Sequence, residues 1–378
     1  MTFFLLPAPA YAGICTAFVG ITPYPSINGA LSAVGAGPGA ISVTGTCSEN
    51  VQINNARSIT IQGFGGATVV EPTDLDAFDI SQSQGITISN FDISSTGVDG
   101  IGVNITEASD VHLLNCIIHN NQAAGVNVDT ASVLLLHDSI IQYNTPFDGL
   151  DVYDSIATVT RTTIQNNGSP GANGGVGVFV SRTSVVAFAQ QNFILNNADV
   201  GIQAANLSSV FFQSGNPLHF TTVQGHNTNG IYLAKQSHFQ INGPAPHVIQ
   251  GNGATCPTDP MCGGIFATTN STVQLNAPAT ISGNHGSGIS AQEGSNVRLN
   301  GATVSNNTGD GVHLRWISIG DFVPGSGTAI TGNGGASISC DERSLAVGDL
   351  SGFSKVKCDQ DEKDNEHGHS DEGKGRHR

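Results

Sequence analysis

The strongest constraint on this chain is that it says nearly the same thing many times. "GVNVDTASVLLLHDSIIQYN", "GLDVYDSIATVTRTTIQNNG", "GVGVFVSRTSVVAFAQQNFILNN", "GIYLAKQSHFQINGPAPHVIQGN", "GIFATTNSTVQLNAPATISGN" and "GISAQEGSNVRLNGATVSNN" each open on glycine, alternate, break, alternate again and close on asparagine. Aligned on that glycine, the runs start at Gly100, Gly125, Gly149, Gly175, Gly201, Gly230, Gly264, Gly288, Gly311 and Gly335, most often 23 to 26 residues apart. Self-similarity at such a period marks a stack of small units, each too small to bury its own core.

After each glycine, apolar residues recur at every second position, as in Val126 and Val128 or Leu150 and Val152. Period two over three to five residues is a strand with one buried face. A second strand follows ("SVLLLHD", "ATVTRTT", "SVVAFAQ") and then a third ("SIIQYN", "TIQNN"). Three short strands per turn, stacked turn on turn, predict an all-β, single-stranded right-handed parallel β-helix of about 10–12 coils. The 48 glycines and the low charged fraction of 11% suit short strands joined by tight corners. Leucine-rich repeats are excluded by the lack of a recurrent L-x-x-L-x-L.

Asn121, Asn144, Asn167, Asn197, Asn227, Asn252, Asn284, Asn307 and Asn333 fall at one place in the repeat, before the turn into the glycine-led strand. Asparagine tolerates the left-handed backbone of a tight corner, and stacked amides bond from coil to coil, so these positions are expected to form a structural ladder.

Residues 1–12, "MTFFLLPAPAYA", form a short apolar run with small residues at its end, the pattern of a signal peptide whose start is truncated. Residues 13–38 are expected to be an N-terminal cap, 39–358 the β-helix with a stapled C-terminal cap, and 359–378 a disordered, charged tail. No later stretch is long and apolar enough to span a membrane. Cysteine placement supports a secreted or extracytoplasmic protein: Cys256 and Cys262 bracket one loop, Cys340 and Cys358 bracket the last apolar segment, and Cys15 and Cys47 would tie the N-terminal segment to the first strand. Three disulfides, Cys15–Cys47, Cys256–Cys262 and Cys340–Cys358, with Cys116 a buried free thiol, is the preferred arrangement, although spacing alone leaves connectivity open.

The formal net charge is −16, and between Gly13 and Cys340 the only basic residues are Arg57, Arg161, Arg182, Lys235, Arg298 and Arg315. A nucleic-acid partner would require clustered cations, so it is excluded. A monomer is expected.

The opening strand "ISVTGTCSENVQI", the repeated "GI/GV" strands with "NN" or "GN" turns, and the closing "GNGGASISCD" resemble the secreted right-handed parallel β-helix proteins of the pectin-lyase-like superfamily, over roughly residues 39–358. The resemblance implies a fold and leaves the activity open, because that superfamily holds lyases, hydrolases, epimerases and binding proteins. The polygalacturonase pattern of aspartates, Gly-His-Gly and Arg-Ile-Lys is absent, and so are mannuronan epimerase motifs.

Outward side chains of a β-helix form rows with about 4.8 Å between coils. Counted from the aligned glycines, Asp99, Asn104, Asn127, Asp129, Asp148, Asp151 and Tyr153 converge on one face. Asp129, Asp148 and Asp151 are the catalytic candidates, since Asp129 and Asp151 fall at about the separation of an inverting glycosidase pair. Asp99, Asp148 and Asp151 could instead hold Ca²⁺, although no cofactor is required. Asn104, Asn127, Tyr153, Phe179, Arg182, Tyr232, Lys235 and Phe266 are candidates for binding an extended polysaccharide, the aromatics by stacking on sugar rings. The Asp-Gly pairs read equally well as turn chemistry, and a non-catalytic cell-wall or surface-binding protein is the alternative to a polysaccharide lyase or glycosidase. Trp316, in "GVHLRWISIGDF", is expected under the C-terminal cap, with a binding edge as the other reading.

Overall fold

The computed structural model describes residues 13–169, 174–256, 259, 261–341 and 343–358. The expected signal peptide and charged tail lie outside the described residues. The chain winds as a right-handed parallel β-solenoid. One face is a 13-stranded sheet of the glycine-led strands, running from Val51–Asn54 through Val126–Val128, Leu150–Tyr153 and Asn229–Leu233 to Val356–Cys358. The other two faces merge into a 25-stranded sheet, because the long strand Ile59–Glu71 pairs at its start with Ile86–Ser89 and at its end with Asp92–Ser95. Alternation does what it must: inward Ile, Val, Leu and Phe from every coil form one continuous core, including the edge-to-face stack Phe188, Phe212, Phe239.

Each coil turns its corners the same way. After the glycine-led strand come, in most coils, two residues with left-handed backbone, such as Thr130 and Ala131, Arg182 and Thr183, or Lys235 and Gln236, and in others one, Gln82 or Asp154. A buried serine follows, and its hydroxyl accepts the backbone N–H of the serine one coil earlier: Ser83 to Ser109, Ser109 to Ser132, Ser132 to Ser155, Ser155 to Ser184, all at 3.1 Å or less. At another corner Cys116 donates its N–H to Ser139 at 3.1 Å. The thiol at Cys116 therefore occupies a position that Ser139 and Thr162 fill in the next coils, and burial pushes its pKa up to about 11.

The asparagine ladder is present, with two corrections. Asn121, Asn144, Asn167 and Asn197 run in series, each Oδ1 accepting the N–H and the Nδ2 of the residue above, and Asn252, Asn284, Asn307 and Asn333 form a second series. Asn227 is not a member. His226 stands in its place: its Nδ1 accepts the Asn197 N–H at 3.1 Å and its Nε2 donates to the Ile194 carbonyl at 3.1 Å, reproducing the amide's two bonds to backbone while the side-chain to side-chain bond is interrupted. The left-handed backbone belongs to the residue before each ladder position, Asn120, Tyr143, Asn166, Asn196, Gly225 and their equivalents.

The glycine column is also revised. The stacked glycines are Gly102, Gly125, Gly149, Gly177, Gly201, Gly230, Gly264, Gly288 and Gly311, so the column passes two residues beyond the expected Gly100 and Gly175, and Ser337 ends it where Gly335 was expected. A Cβ at Gly149 would lie 2.6–2.8 Å from the Gly177 carbonyl, the Ile164 side chain and Asn167 Nδ2. Close approach to the ladder, and not left-handed backbone, is why the repeat opens on glycine.

The ends are covered. Helix Ile27–Val34, N-capped by Ser26 and clasped at its first turn by Glu49, which accepts the Ile27 N–H at 2.6 Å, lays Ile27, Ala30 and Leu31 on the first coil. Cys15–Cys47, Cys256–Cys262 and Cys340–Cys358 are bonded. Trp316 does not lie under the C-terminal cap; it is 45% exposed at a corner with the Arg315 guanidinium over its ring. Phe353 does that work, its ring edge-on to Phe322 at 5.5 Å. Among the described residues no helix is long and apolar enough to cross a membrane.

Candidate functional site

The revised glycine column resets the rows on the glycine-led sheet. Its central outward row is Gln52, Asp79, Asn104, Asn127, Asp151, Phe179, Gln203, Tyr232, Phe266, Ser290, His313, Ser339 and Lys357. In this row Asn104 flanks Asn127 and Phe179 flanks Asp151 directly. Asn127 Nδ2 donates to Asn104 Oδ1 at 2.9 Å. Asp79 extends the row, a residue that alignment missed because Ala77 stands at the glycine position of that coil.

Asp148 and Asp151 come together at one end of the strand Leu150–Tyr153. Asp148 Oδ1 accepts the N–H groups of Gly175 and Val176, at 2.8 and 2.7 Å, from the next coil. Asp151 keeps part of its surface open, but its Oδ1 is sealed from solvent and receives no N–H or hydroxyl donor; its side chain meets the Asp148 carboxyl instead. Burial first, then the adjacent Asp148 charge, lift the Asp151 pKa well above the ordinary carboxylate value, and burial lifts that of Asp148 too. Two crowded, desolvated carboxyls resolve this by holding one proton between them.

Around the pair, Tyr153 stands two residues on, 5.6 Å from the Phe179 ring, with the Arg182 guanidinium 5.2 Å from its own. Burial and the Asp151 charge raise the Tyr153 pKa, which keeps it a neutral hydrogen-bond donor. Asp129 occupies the register position of Tyr153 one coil earlier, and its Oδ1 accepts the Thr130 N–H at 2.6 Å. Lys235 does not join this group; it is exposed at a corner two coils beyond Arg182.

Asp99 is not brought to the pair either. It is exposed in the turn before Ile101, two coils from Asp148, roughly 10 Å along the axis. Asp99, Asp148 and Asp151 therefore do not make a common donor set for Ca²⁺, and Asp148 and Asp151 are arranged to retain a proton. Where Cys15, Cys47 and Glu49 do cluster, the two sulfurs are bonded to each other.

A related pair, which the sequence did not disclose, lies further along the same face. Asp310 stands at the register position of Asp148, its Oδ1 accepting the Ala336 N–H at 2.6 Å, and His313 takes the place of Asp151. Asp310 Oδ2 contacts His313 Nδ1 at 3.0 Å and accepts the Ser339 hydroxyl at 2.5 Å. Burial works against the Asp310 charge, but these hydrogen bonds hold its pKa below the usual value. The signal was the i, i+3 spacing from an Asp before the glycine, shared by 148/151 and 310/313.

Comparison with solved structures finds likenesses to the Azotobacter vinelandii Mannuronan C-5 epimerase AlgE4 A-module (13% identity, TM-score 0.42, covering 85% of this chain and 94% of that one). It also finds pectate lyase Pel9A (12%, 0.32, 58% and 72%) and the endo-xylogalacturonan hydrolase from Aspergillus tubingensis (13%, 0.32, 87% and 93%). None is similar enough to transfer a substrate or a reaction. A search of curated proteins finds no match. The family profile "Right handed beta helix region" matches residues 39–214 and 102–277, overlapping stretches that together span more than half of the 378 residues. The chain belongs to the right-handed β-helix family.

Proposed function

We propose that this protein binds an extended polysaccharide along the glycine-led sheet and cleaves it by glycoside hydrolysis at Asp148 and Asp151. The observation that carries the reading is the desolvated Asp151 carboxyl, whose sealed Oδ1 receives no N–H or hydroxyl donor, held against a second carboxyl. A group so placed keeps its proton into the pH range where other carboxyls have lost theirs, which is what a general acid requires. Asp151 gives its proton to the leaving glycosidic oxygen as the bond to the anomeric carbon breaks. Water adds to that carbon, and Asp129, one coil away on the same face, takes the water's proton. Asp148, anchored by two backbone N–H groups, positions Asp151 and keeps its pKa high. Asn104, Asn127, Tyr153 and Phe179 supply hydrogen bonds and an aromatic surface for flanking sugars.

β-Elimination is the less favoured chemistry, because it needs cations to neutralise a uronate carboxylate, and Arg182, the guanidinium near the pair among the described residues, is stacked on Tyr153. Three disulfides favour an oxidising, extracytoplasmic setting. The test is a polysaccharide panel, scored for new reducing ends and for unsaturated-product absorbance together. Reducing ends without absorbance, lost in Asp151→Asn, are expected. Reducing ends with absorbance would replace hydrolysis by elimination. Binding without either signal would leave a non-catalytic binding protein.

A further inference from the structure

Three coils beyond Asp151, about 14 Å along the axis, a second feature on this sheet has a different character. A cleft of about 340 Å³ is lined by Asp199, Gln203, Asn229, Tyr232, Asp259 and Phe266, with Met261 and the disulfide-bonded Cys262 beside Asp259. Tyr232 and Phe266 stack with ring centroids 5.3 Å apart and planes within 6°, so the Tyr232 ring is held rigidly by its neighbour. Asn229 is 93% buried, and its Oδ1 has no hydrogen-bond partner. A sealed amide oxygen without a donor is costly, and it points to a ligand that brings one.

The polar lining is dominated by acceptors. Asp199 already accepts the Thr228 hydroxyl at 2.8 Å, and Asp259 accepts the Met261 N–H at 2.9 Å; each carboxylate keeps a second oxygen. Among the described residues the lining includes no lysine or arginine. A uronate here would face two carboxylates with no cation to offset them. A ring with an apolar face and a charged donor would find an aromatic wall, two carboxylates and an orphaned acceptor.

We propose that this cleft is a subsite for a cationic amino sugar, a 2-amino-2-deoxyhexose unit whose ammonium hydrogens are taken by Asp199, Asp259 and Asn229 Oδ1 while its ring lies against Tyr232. The proposal rests on the reading that the sheet carries a sugar chain, and it names the class of that chain. It also separates this face from polyuronate recognition, which requires the opposite charge.

The experiment is calorimetric titration of the full chain carrying Asp151→Asn, so that nothing is cleaved, with a glucosamine oligomer, its fully N-acetylated counterpart and an oligogalacturonate. The glucosamine oligomer is expected to bind at least about tenfold more tightly than the acetylated one, more weakly as salt rises, and at least about tenfold more weakly when Asp199→Asn is added. Should Asp199→Asn fail to fold, Asp259→Asn gives the same reading from the loop side. Equal affinity for the two oligomers, tighter binding of the galacturonate, or binding unchanged by both substitutions would overturn the proposal. If a neutral glycan binds while the cleft variants leave it unaffected, the subsite alone fails. If no glycan binds at all, the polysaccharide reading falls with it.

Discussion

Asp148 and Asp151 are three residues apart and unequal: the Oδ1 of the first accepts two backbone N–H groups, and the Oδ1 of the second accepts none. The asymmetry assigns the proton. Asp151→Asn is expected to lower turnover at least about 100-fold, since removal of a positioned general acid costs that order. It should also stabilise the fold at neutral pH. Below about pH 4 the carboxyl is protonated in folded and unfolded chains alike. Above that, the unfolded chain ionises first and the wild-type fold loses stability as pH rises through the raised native pKa. Thermal melts of both proteins at pH 3 and pH 7 check this: the curves should nearly coincide at pH 3, with the variant higher at pH 7.

Two buried histidines make the solenoid acid-sensitive at identifiable coils. His226 and His247 each accept a backbone N–H through Nδ1, from Asn197 and Thr221, and burial lowers both pKa values to about 4. An unfolded chain takes up these protons near pH 6.5. Stability is therefore lost between about pH 6.5 and pH 4, by on the order of 3 kcal/mol for each histidine. His226→Asn restores the ladder amide, and denaturant titrations across this range should show its share of the slope removed.

The glycine column predicts a contrast between two alanine substitutions. Gly149→Ala forces a methyl group against the Gly177 carbonyl, Ile164 and Asn167 at 2.6–2.8 Å and should destabilise by about 2–3 kcal/mol. Gly215→Ala meets nothing within 4 Å and should be neutral or slightly stabilising. Chemical denaturation of the pair separates close packing from glycine content as such.

Replacing both Cys340 and Cys358 by serine removes a link that spans 18 residues, which for a loop of that length contributes about 3 kcal/mol. The loss should be local. Hydrogen exchange is expected to speed up in Val356–Cys358 and around Phe353 and Phe322, and to leave the amides of Leu150–Tyr153 unchanged.

The repeat was readable because period-two alternation and corner asparagines are local signals that every coil must repeat. What escaped was contextual. Gly100 and Gly102 both precede an apolar strand, and only contact with the ladder amide of Asn121 distinguishes them. His226 hides in the ladder because an imidazole matches an amide in geometry and not in letter. Trp316 was expected under the C-terminal cap, yet the corner it occupies faces solvent. Asp148 and Asp151 were both among the sequence candidates, but spacing paired Asp151 with Asp129, and the contact and inequality of 148 and 151 depend on the turn at Gly175 and Val176, supplied by the following coil. The cleft at Tyr232 also takes Asp259, Met261 and Cys262, which lie outside the aligned rows, and the row pattern carries no trace of that.

The uniform stacking of coils also works as a ruler with fixed divisions. Every coil adds about 4.8 Å to the axis and one outward position to the central row, while its inward residues answer only to the core. Duplicating or deleting the coil that carries Gln203 would change the separation between Asp151 and Tyr232 by one whole division and leave both local geometries intact. Reach along a bound chain is thus quantised here, and evolution or design would lengthen it by counting coils.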